Sequence, residues 1–132
     1  MKGFNTNIER DTLENKYFRQ VLYTAKHCQL VLMSLKPSEE IGLETHAEND
    51  QFLRFEGGRG AVFIDDNRYE VADGDAVIVP AGARHNVINL SDSEELKIYT
   101  IYSPPHHKDG TVHKMKKDAE ADDEDFDGVT TE

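Results

Sequence analysis

Cysteine is almost missing from this chain of 132 residues, and tryptophan is wholly missing. The single cysteine, Cys28, has no partner for an internal disulfide, and apolar and polar residues alternate around it, so we expect a packed strand thiol. No apolar run approaches the roughly 18 residues that a membrane-spanning helix needs, and no secretory leader opens the chain. These absences predict a cytoplasmic protein that does not enter a membrane.

Basic residues are absent from the carboxyl-terminal stretch 118–132, which holds eight of the 26 acidic residues. Residues 1–117 therefore carry 18 acids against 15 bases and are close to neutral. A nearly neutral body followed by an acidic stretch is unsuited to binding a phosphate backbone. We expect the partner to be a small molecule and not a nucleic acid.

Helical periodicity is also scarce, whereas short runs of β-branched and aromatic residues recur every eight to twelve positions, which is typical of all-β proteins. The length allows one domain and is too short for two. The pattern predicts a closed antiparallel barrel or sandwich. The predicted strands cover residues 17–24, 28–35, 52–55, 61–64, 68–71, 76–79, 85–90 and 96–102.

The two ends of the chain give weaker signals. Residues 7–15 have room for about one helical turn within a short amino-terminal arm. Residues 114–125 present only Met115, Ala119 and Ala121 as an apolar face, which is too thin for firm docking. We therefore predict a domain over residues 1–114 and an acidic tail over 115–132 that is disordered or weakly helical.

A set of spaced residues marks the stretch from Gly74 to Asn89. Five residues separate Gly74 from Pro80, one separates Pro80 from Gly82, two precede His85, and three separate His85 from Asn89. Pro80 ends a strand because it cannot donate to the ladder, and the glycines permit tight turns. The pattern resembles the second motif of the cupin superfamily at all five defining positions, with Asn89 expected to stabilise its own turn.

A second stretch, about thirty residues upstream, resembles the first cupin motif, His-x-His-x3-4-Glu-x6-Gly. With Gly58 as its closing glycine, Gln51 takes the glutamate position, His46 the second histidine and Glu44 the first. The spacing of three or four residues leaves an alternative, in which Asp50 replaces Gln51 as the ligand. The glycine spacing favours Gln51.

The resemblance covers residues 28–103 and implies a single cupin barrel, a double-stranded β-helix or jelly roll, with its core motifs at 42–89. It also implies one divalent metal ion held by Glu44, His46, Gln51 and His85. Glu44 and His46 are two apart, so a strand projects both to one face. Two imidazoles, one carboxylate and one amide oxygen suit Mn, Fe, Co, Ni or Zn. Cupins often pair through sheet edges, so a homodimer is expected.

The loop 104–114 follows the last predicted strand and contains three histidines and two lysines. It is either a solvated loop or a lid over the barrel mouth. In the second case, His107 is a candidate catalytic base, with Glu44 as the other, and Lys108 and His113 are candidates for binding an anionic substrate.

The whole chain is similar to small monocupins described as mannose-6-phosphate isomerase-like. That resemblance implies a metal-dependent isomerase or epimerase of a small sugar-like or enediol-forming molecule. A shared cupin core transfers fold more readily than activity. Two alternatives therefore remain: an O2-dependent dioxygenase, and a non-catalytic module that binds metal or a small ligand.

Overall fold

Antiparallel strands make up most of the protein. The computed structural model describes all 132 residues. Its elements, in chain order, are α1 (Ile8–Glu14), β1 (Arg19–Thr24), β2 (Gln29–Leu35), β3 (Glu44–Thr45), β4 (Asp50–Gly57), β5 (Arg59–Ile64), β6 (Asn67–Ala72), β7 (Ala76–Val79), β8 (Arg84–Asn89), β9 (Leu96–Ser103), β10 (Val112–His113) and α2 (Lys116–Glu120).

The strands form two sheets that pack face to face. One sheet has the order β10-β1-β2-β9-β4-β7, and the other has the order β3-β8-β5-β6. The core between them is apolar and includes the fully buried Met33, Phe55, Val62 and Ile98. Strand alternation turns these side chains inward and leaves polar neighbours outside. The predicted all-β fold is confirmed. Neither helix has the length and hydrophobicity that crossing a bilayer requires.

All eight predicted strands are present, and two strands of two residues each were missed. Strand β3 pairs with β8, and β10 pairs with β1. Both are too short to show the alternation from which a strand is predicted. The prediction for Cys28 was wrong, because the residue lies in the exposed turn before β2.

The carboxyl-terminal segment, residues 115–132, is not disordered, which corrects the prediction made from its composition. Only α2 is helical. Beyond it, Phe126 N donates to the His106 carbonyl at 3.0 Å and Thr131 N donates to the Thr24 carbonyl at 2.9 Å. Thr24 N also donates to Thr131 Oγ1 at 2.8 Å. The segment is therefore bound to the body by backbone hydrogen bonds along its length.

The turn between β7 and β8 connects the two halves of the sandwich. Gly82 has φ of 88°, and its N–H donates to the His46 carbonyl at 2.9 Å. Ala81 N donates to Asp50 Oδ1 at 2.9 Å. Pro80 directly follows β7 and Gly74 turns into it with φ of 92°. This turn therefore fixes the position of His46.

Asn89 stabilises the chain reversal that follows β8. Its Nδ2 donates to the carbonyls of Leu35, Lys36 and Glu94, and its Oδ1 accepts from Ser91 N. The buried amide thus uses both donors and its acceptor on backbone groups. Asn89 is a structural residue, as its place in the motif predicted.

Gly58 is the glycine with the least room for a side chain. Its φ is 89°, and a Cβ there would lie 2.4 Å from the Glu95 carbonyl oxygen. Gly82 has nearly the same φ, 88°, but nothing within 4 Å of such a Cβ. We expect Gly82→Ala to lower the free energy of unfolding by about 1–2 kcal/mol through strain alone. Gly58→Ala should cost about 1–3 kcal/mol more through overpacking. Equal losses in chemical denaturation would contradict this account.

Candidate metal centre

Three side chains with metal-binding atoms meet where β3 pairs with β8. Glu44 and His85 are direct partners in the ladder, and His46 follows β3 by one residue. One potential ligand atom from each of the three lies within 4.8 Å of the others. Glu44 Oε1 and His46 Nε2 are 3.7 Å apart, and the two imidazole centroids are 5.0 Å apart. These separations are compatible with three ligands around one ion.

Both histidines present a buried nitrogen that has no hydrogen-bond partner. His85 Nδ1 lies 3.0 Å from the Ala83 carbonyl, which can only accept, so Nδ1 carries the proton. His85 Nε2 is then a buried lone pair, and neither it nor His46 Nε2 has a partner. A backbone carbonyl that fixes the tautomer is the usual support of a metal-bound histidine.

Gln51 and Asp50 lie on opposite sides of β4. Gln51 is 2% exposed, and its Nε2 donates to Thr100 Oγ1 at 3.0 Å, which leaves its buried Oε1 without a partner. Asp50 is exposed, and its carboxylate accepts from Ala81 N. Strand alternation therefore turns Gln51 inward and Asp50 outward. Of the two alternatives, only Gln51 offers a buried oxygen to an ion.

The donor set fits a divalent transition metal. Buried polar atoms are normally hydrogen-bonded, so three unpartnered nitrogen and oxygen atoms in one barrel require an explanation. A divalent ion would satisfy the free atoms of His46, His85 and Gln51 together with the Glu44 carboxylate. Two nitrogen and two oxygen ligands suit Mn, Fe, Co, Ni or Zn.

Glu44 supplies the negative charge of the set. Burial acts to raise the pKa of this carboxyl, but the His46 side chain and the positive charge of Arg19 outweigh burial and lower the pKa below its ordinary value. Glu44 is therefore ionised at neutral pH and available as an anionic ligand.

His106 is a site residue that the sequence analysis did not select. Its ring centroid lies 4.2 Å from that of His46, 4.8 Å from that of His107 and 5.2 Å from that of Tyr102. Burial and, to a smaller extent, the neighbouring His107 and His46 lower the pKa of His106 to about 4. His106 is therefore a neutral imidazole beside the candidate ligands. Within a loop of three histidines, no sequence signal distinguishes the one that lies against His46.

His107, the predicted catalytic base, has both ring nitrogens engaged. Nδ1 lies 2.5 Å from Glu124 Oε1 and donates to it, and Nε2 accepts from the Tyr102 hydroxyl at 3.4 Å. Burial acts to raise the pKa of Glu124, but the bonds from His107 and from Lys108 N lower it to about 2. Burial also raises the pKa of Tyr102. His107 is thus held between a carboxylate and a phenol.

The other two loop residues lie away from the ligand cluster. Lys108 is exposed, and only its backbone N–H contacts Glu124. His113 is buried in β10 and lies between Arg19 Nη1, at 3.3 Å, and Asp122 Oδ2, at 2.9 Å. Neither side chain lines the cavity at the barrel mouth.

A cavity of about 240 Å³ lies between the barrel mouth and the carboxyl-terminal segment. Its lining includes Glu44, His106 and His107 from the body and Glu124 from the carboxyl-terminal segment. Arg19 also lines it, although no motif contains this residue. The acidic segment therefore covers the mouth, a role that had been considered for the loop 104–114.

Comparison with known proteins identifies the family. The cupin domain family matches residues 31–102, more than half of the chain. The uncharacterised protein YrkC of Bacillus subtilis (strain 168) is 49% identical over 126 residues, which cover 91% of this chain and 67% of YrkC. The chain therefore belongs to the cupin domain family.

Solved structures agree with this assignment. The crystal structure of BH2720 from Bacillus halodurans is similar with a TM-score of 0.89 and 45% identity, covering 92% of this chain and 96% of that one. A predicted oxalate decarboxylase from Thermotoga maritima is similar with a TM-score of 0.56 and 19% identity, covering 61% of this chain and 69% of that one. The second likeness shows the fold alone.

Proposed function

We propose that this cupin is a divalent-metal-dependent enzyme that acts on a small sugar-like or enediol-forming molecule, as an isomerase or epimerase. The observation that carries the proposal is the group of unpartnered buried atoms, the Nε2 atoms of His46 and His85 and the Oε1 atom of Gln51. They belong to the same barrel as an ionised carboxylate, Glu44, which lines a cavity. The sequence resemblance to mannose-6-phosphate isomerase-like monocupins supports the same reaction class.

In this proposal His46, His85, Gln51 and Glu44 hold the ion. When bound, the ion would supply Lewis-acid stabilisation of negative charge on a substrate oxygen. Ala83 holds the protonated Nδ1 of His85 and so keeps its Nε2 aimed as a ligand. The remaining residues orient the substrate and exclude water.

The residue beside the substrate would be His106, which lines the cavity and contacts the His46 ring. His107 was the earlier candidate, but its two nitrogens are bonded to Glu124 and Tyr102. We assign His107 a positioning role, in which it holds the loop against the carboxyl-terminal segment. The carboxyl-terminal segment would limit the access of water to the cavity.

The dioxygenase alternative also has an observation in its favour. Glu44, His46 and His85 form a cluster of two histidines and one carboxylate, the ligand set of non-haem Fe(II) oxygenases. Gln51 would add a fourth ligand and reduce the number of open positions. The isomerase proposal accommodates Gln51 more readily, because it needs fewer open positions on the ion.

An assay with single metals separates these functions. The protein, loaded in turn with Mn, Fe, Co, Ni and Zn, is incubated with a panel of aldoses, ketoses and their phosphates in deuterated water under argon. Proton NMR then detects isomerisation or deuterium incorporation. The proposal expects turnover without oxygen. A parallel set of samples is air-saturated, and turnover seen only there, only with Fe and with measurable O2 consumption, would establish the dioxygenase alternative. Metal binding without any turnover would favour a binding module.

A further inference from the structure

Arg19 is the only lysine or arginine among the buried residues, with 8% of its surface exposed. No carboxylate oxygen forms a salt bridge with it within 4.0 Å, whereas Arg10, Arg54 and Arg68 each have one. Its Nε is buried and has no hydrogen-bond partner. Buried arginines are normally paired with an anion, because an isolated buried charge is costly. This arginine lacks such a partner within the chain.

The surrounding residues hold Arg19 in place without a direct salt bridge, although its positive charge acts at longer range to lower the pKa of Glu44 and of Glu124. The guanidinium carbon lies 5.3 Å from the centroid of the Phe18 ring. Nη1 lies 3.3 Å from His113 Nδ1, and a guanidinium can only donate, so Nδ1 accepts. The His113 proton is then on Nε2, which donates to Asp122 Oδ2 at 2.9 Å. His113 and Asp122 therefore orient the guanidinium, and its remaining N–H groups stay available.

Arg19 and Glu44 line the same cavity. The volume of about 240 Å³ is below the 300–1,000 Å³ of typical ligand pockets, so only a small molecule fits. Of the four candidate metal ligands, Glu44 alone lines this cavity, so one molecule in this space can lie between Glu44 and the guanidinium. The other charged residues of the lining are Lys116, Glu120, Asp122 and Glu124.

We propose that Arg19 is the subsite for a carboxylate group of the substrate, so that the small sugar-like or enediol-forming molecule also carries a carboxylate. The inference rests on the proposed metal centre, which would bind the other end of the same molecule. The planar guanidinium matches a carboxylate through two parallel hydrogen bonds. The acidic side chains of the lining, Glu44, Glu120, Asp122 and Glu124, would repel a phosphate dianion more strongly than a carboxylate monoanion. A carboxylate is therefore favoured over a phosphate.

The test uses three pairs of probes and isothermal titration calorimetry on the protein loaded with one equivalent of metal. The pairs are malonate with acetate, succinate with propionate, and glutarate with butyrate. Each dicarboxylate has one group for the ion and a second group for Arg19. We expect at least one dicarboxylate to bind about 10-fold or more tightly than its matched monocarboxylate. In Arg19→Gln this advantage should fall to within about 2-fold.

Two further variants control the experiment. Arg54→Gln removes a guanidinium from outside the cavity and should retain the full advantage. Arg19→Lys keeps the charge without the planar fork and should lose most of the advantage. If Arg19→Gln does not fold, the comparison with wild type is made with Arg19→Lys.

The outcomes separate this inference from the metal proposal. Wild-type protein that holds no metal would overturn both. Two outcomes would overturn the subsite alone, provided that wild type and Arg19→Gln both hold one equivalent of metal. In the first, wild type shows no preference for a dicarboxylate over its matched monocarboxylate. In the second, that preference is unchanged in Arg19→Gln. Inorganic phosphate is a further probe. Binding of phosphate that depends on Arg19, without a dicarboxylate advantage, would reject the carboxylate class.

Discussion

Replacing His46 or His85 by alanine should lower metal affinity at least about 100-fold, because each change removes a ligand that the chain cannot replace. Each variant would lose one of the unpartnered buried nitrogens. The expected result, by mass spectrometry of purified protein, is a fall from about one metal equivalent per chain to a small fraction of one. Deletion of a structural side chain alone would not remove the ion.

The control for these variants is His27→Ala, because His27 is exposed and lies in the turn before β2. Its metal content should equal that of wild type. Circular dichroism would establish that all three variants keep their sheet content. Folded His46→Ala and His85→Ala proteins that both retain a full equivalent would show that the ligands lie elsewhere.

Removal of residues 116–132 should lower the melting temperature by about 10 °C or more. The deletion removes the Glu124 carboxylate from His107 and the Asp122 carboxylate from His113. It also removes backbone hydrogen bonds to His106 and Thr24. With each bond contributing about 0.5–1.5 kcal/mol, the total loss should reach about 3 kcal/mol or more. Differential scanning calorimetry measures the shift.

A pair of point variants distinguishes specific contacts from removal of acidic charge. Glu124 is bonded to His107 and to Lys108 N, whereas the adjacent Asp123 is exposed. Glu124→Ala should reproduce a substantial part of the loss, and Asp123→Ala should leave the melting temperature within about 2 °C of wild type. A truncated protein as stable as wild type would show that the segment is only loosely attached.

The position of His85 opposite Glu44 was predictable because the residue types that set the spacing of the motif also set the turns of the chain. The reversals at Gly74 and Gly82 and the strand end at Pro80 are local consequences of residue type. They set the register in which Glu44 faces His85 across the ladder. A short local pattern thus contained enough information to place two candidate ligands from distant parts of the chain.

The choice between Asp50 and Gln51 required the structure. Adjacent residues of a strand face opposite sides, so a shift of one position in the motif exchanges inside and outside. Once Gln51 is paired with Tyr102 and Val79, its inward direction is settled. The motif spacing alone allowed both registers.

The carboxyl-terminal segment was misjudged because composition describes a segment in isolation. Within it, residues 118–132 hold eight acids and no base, which predicts repulsion and disorder. Two of those acids bind histidines that are buried in the body, His107 and His113. Composition does not show such contacts, and Arg19 escaped notice because its contact with His113 joins residues 94 positions apart.

The most direct test of the metal centre is elemental analysis of the wild-type protein by inductively coupled plasma mass spectrometry, first as purified without added metal. The account predicts about one equivalent of Mn, Fe, Co, Ni or Zn per chain, and the same stoichiometry after removal and reconstitution. A folded protein that contains no metal as purified, and takes up none of these five ions on reconstitution, would contradict it.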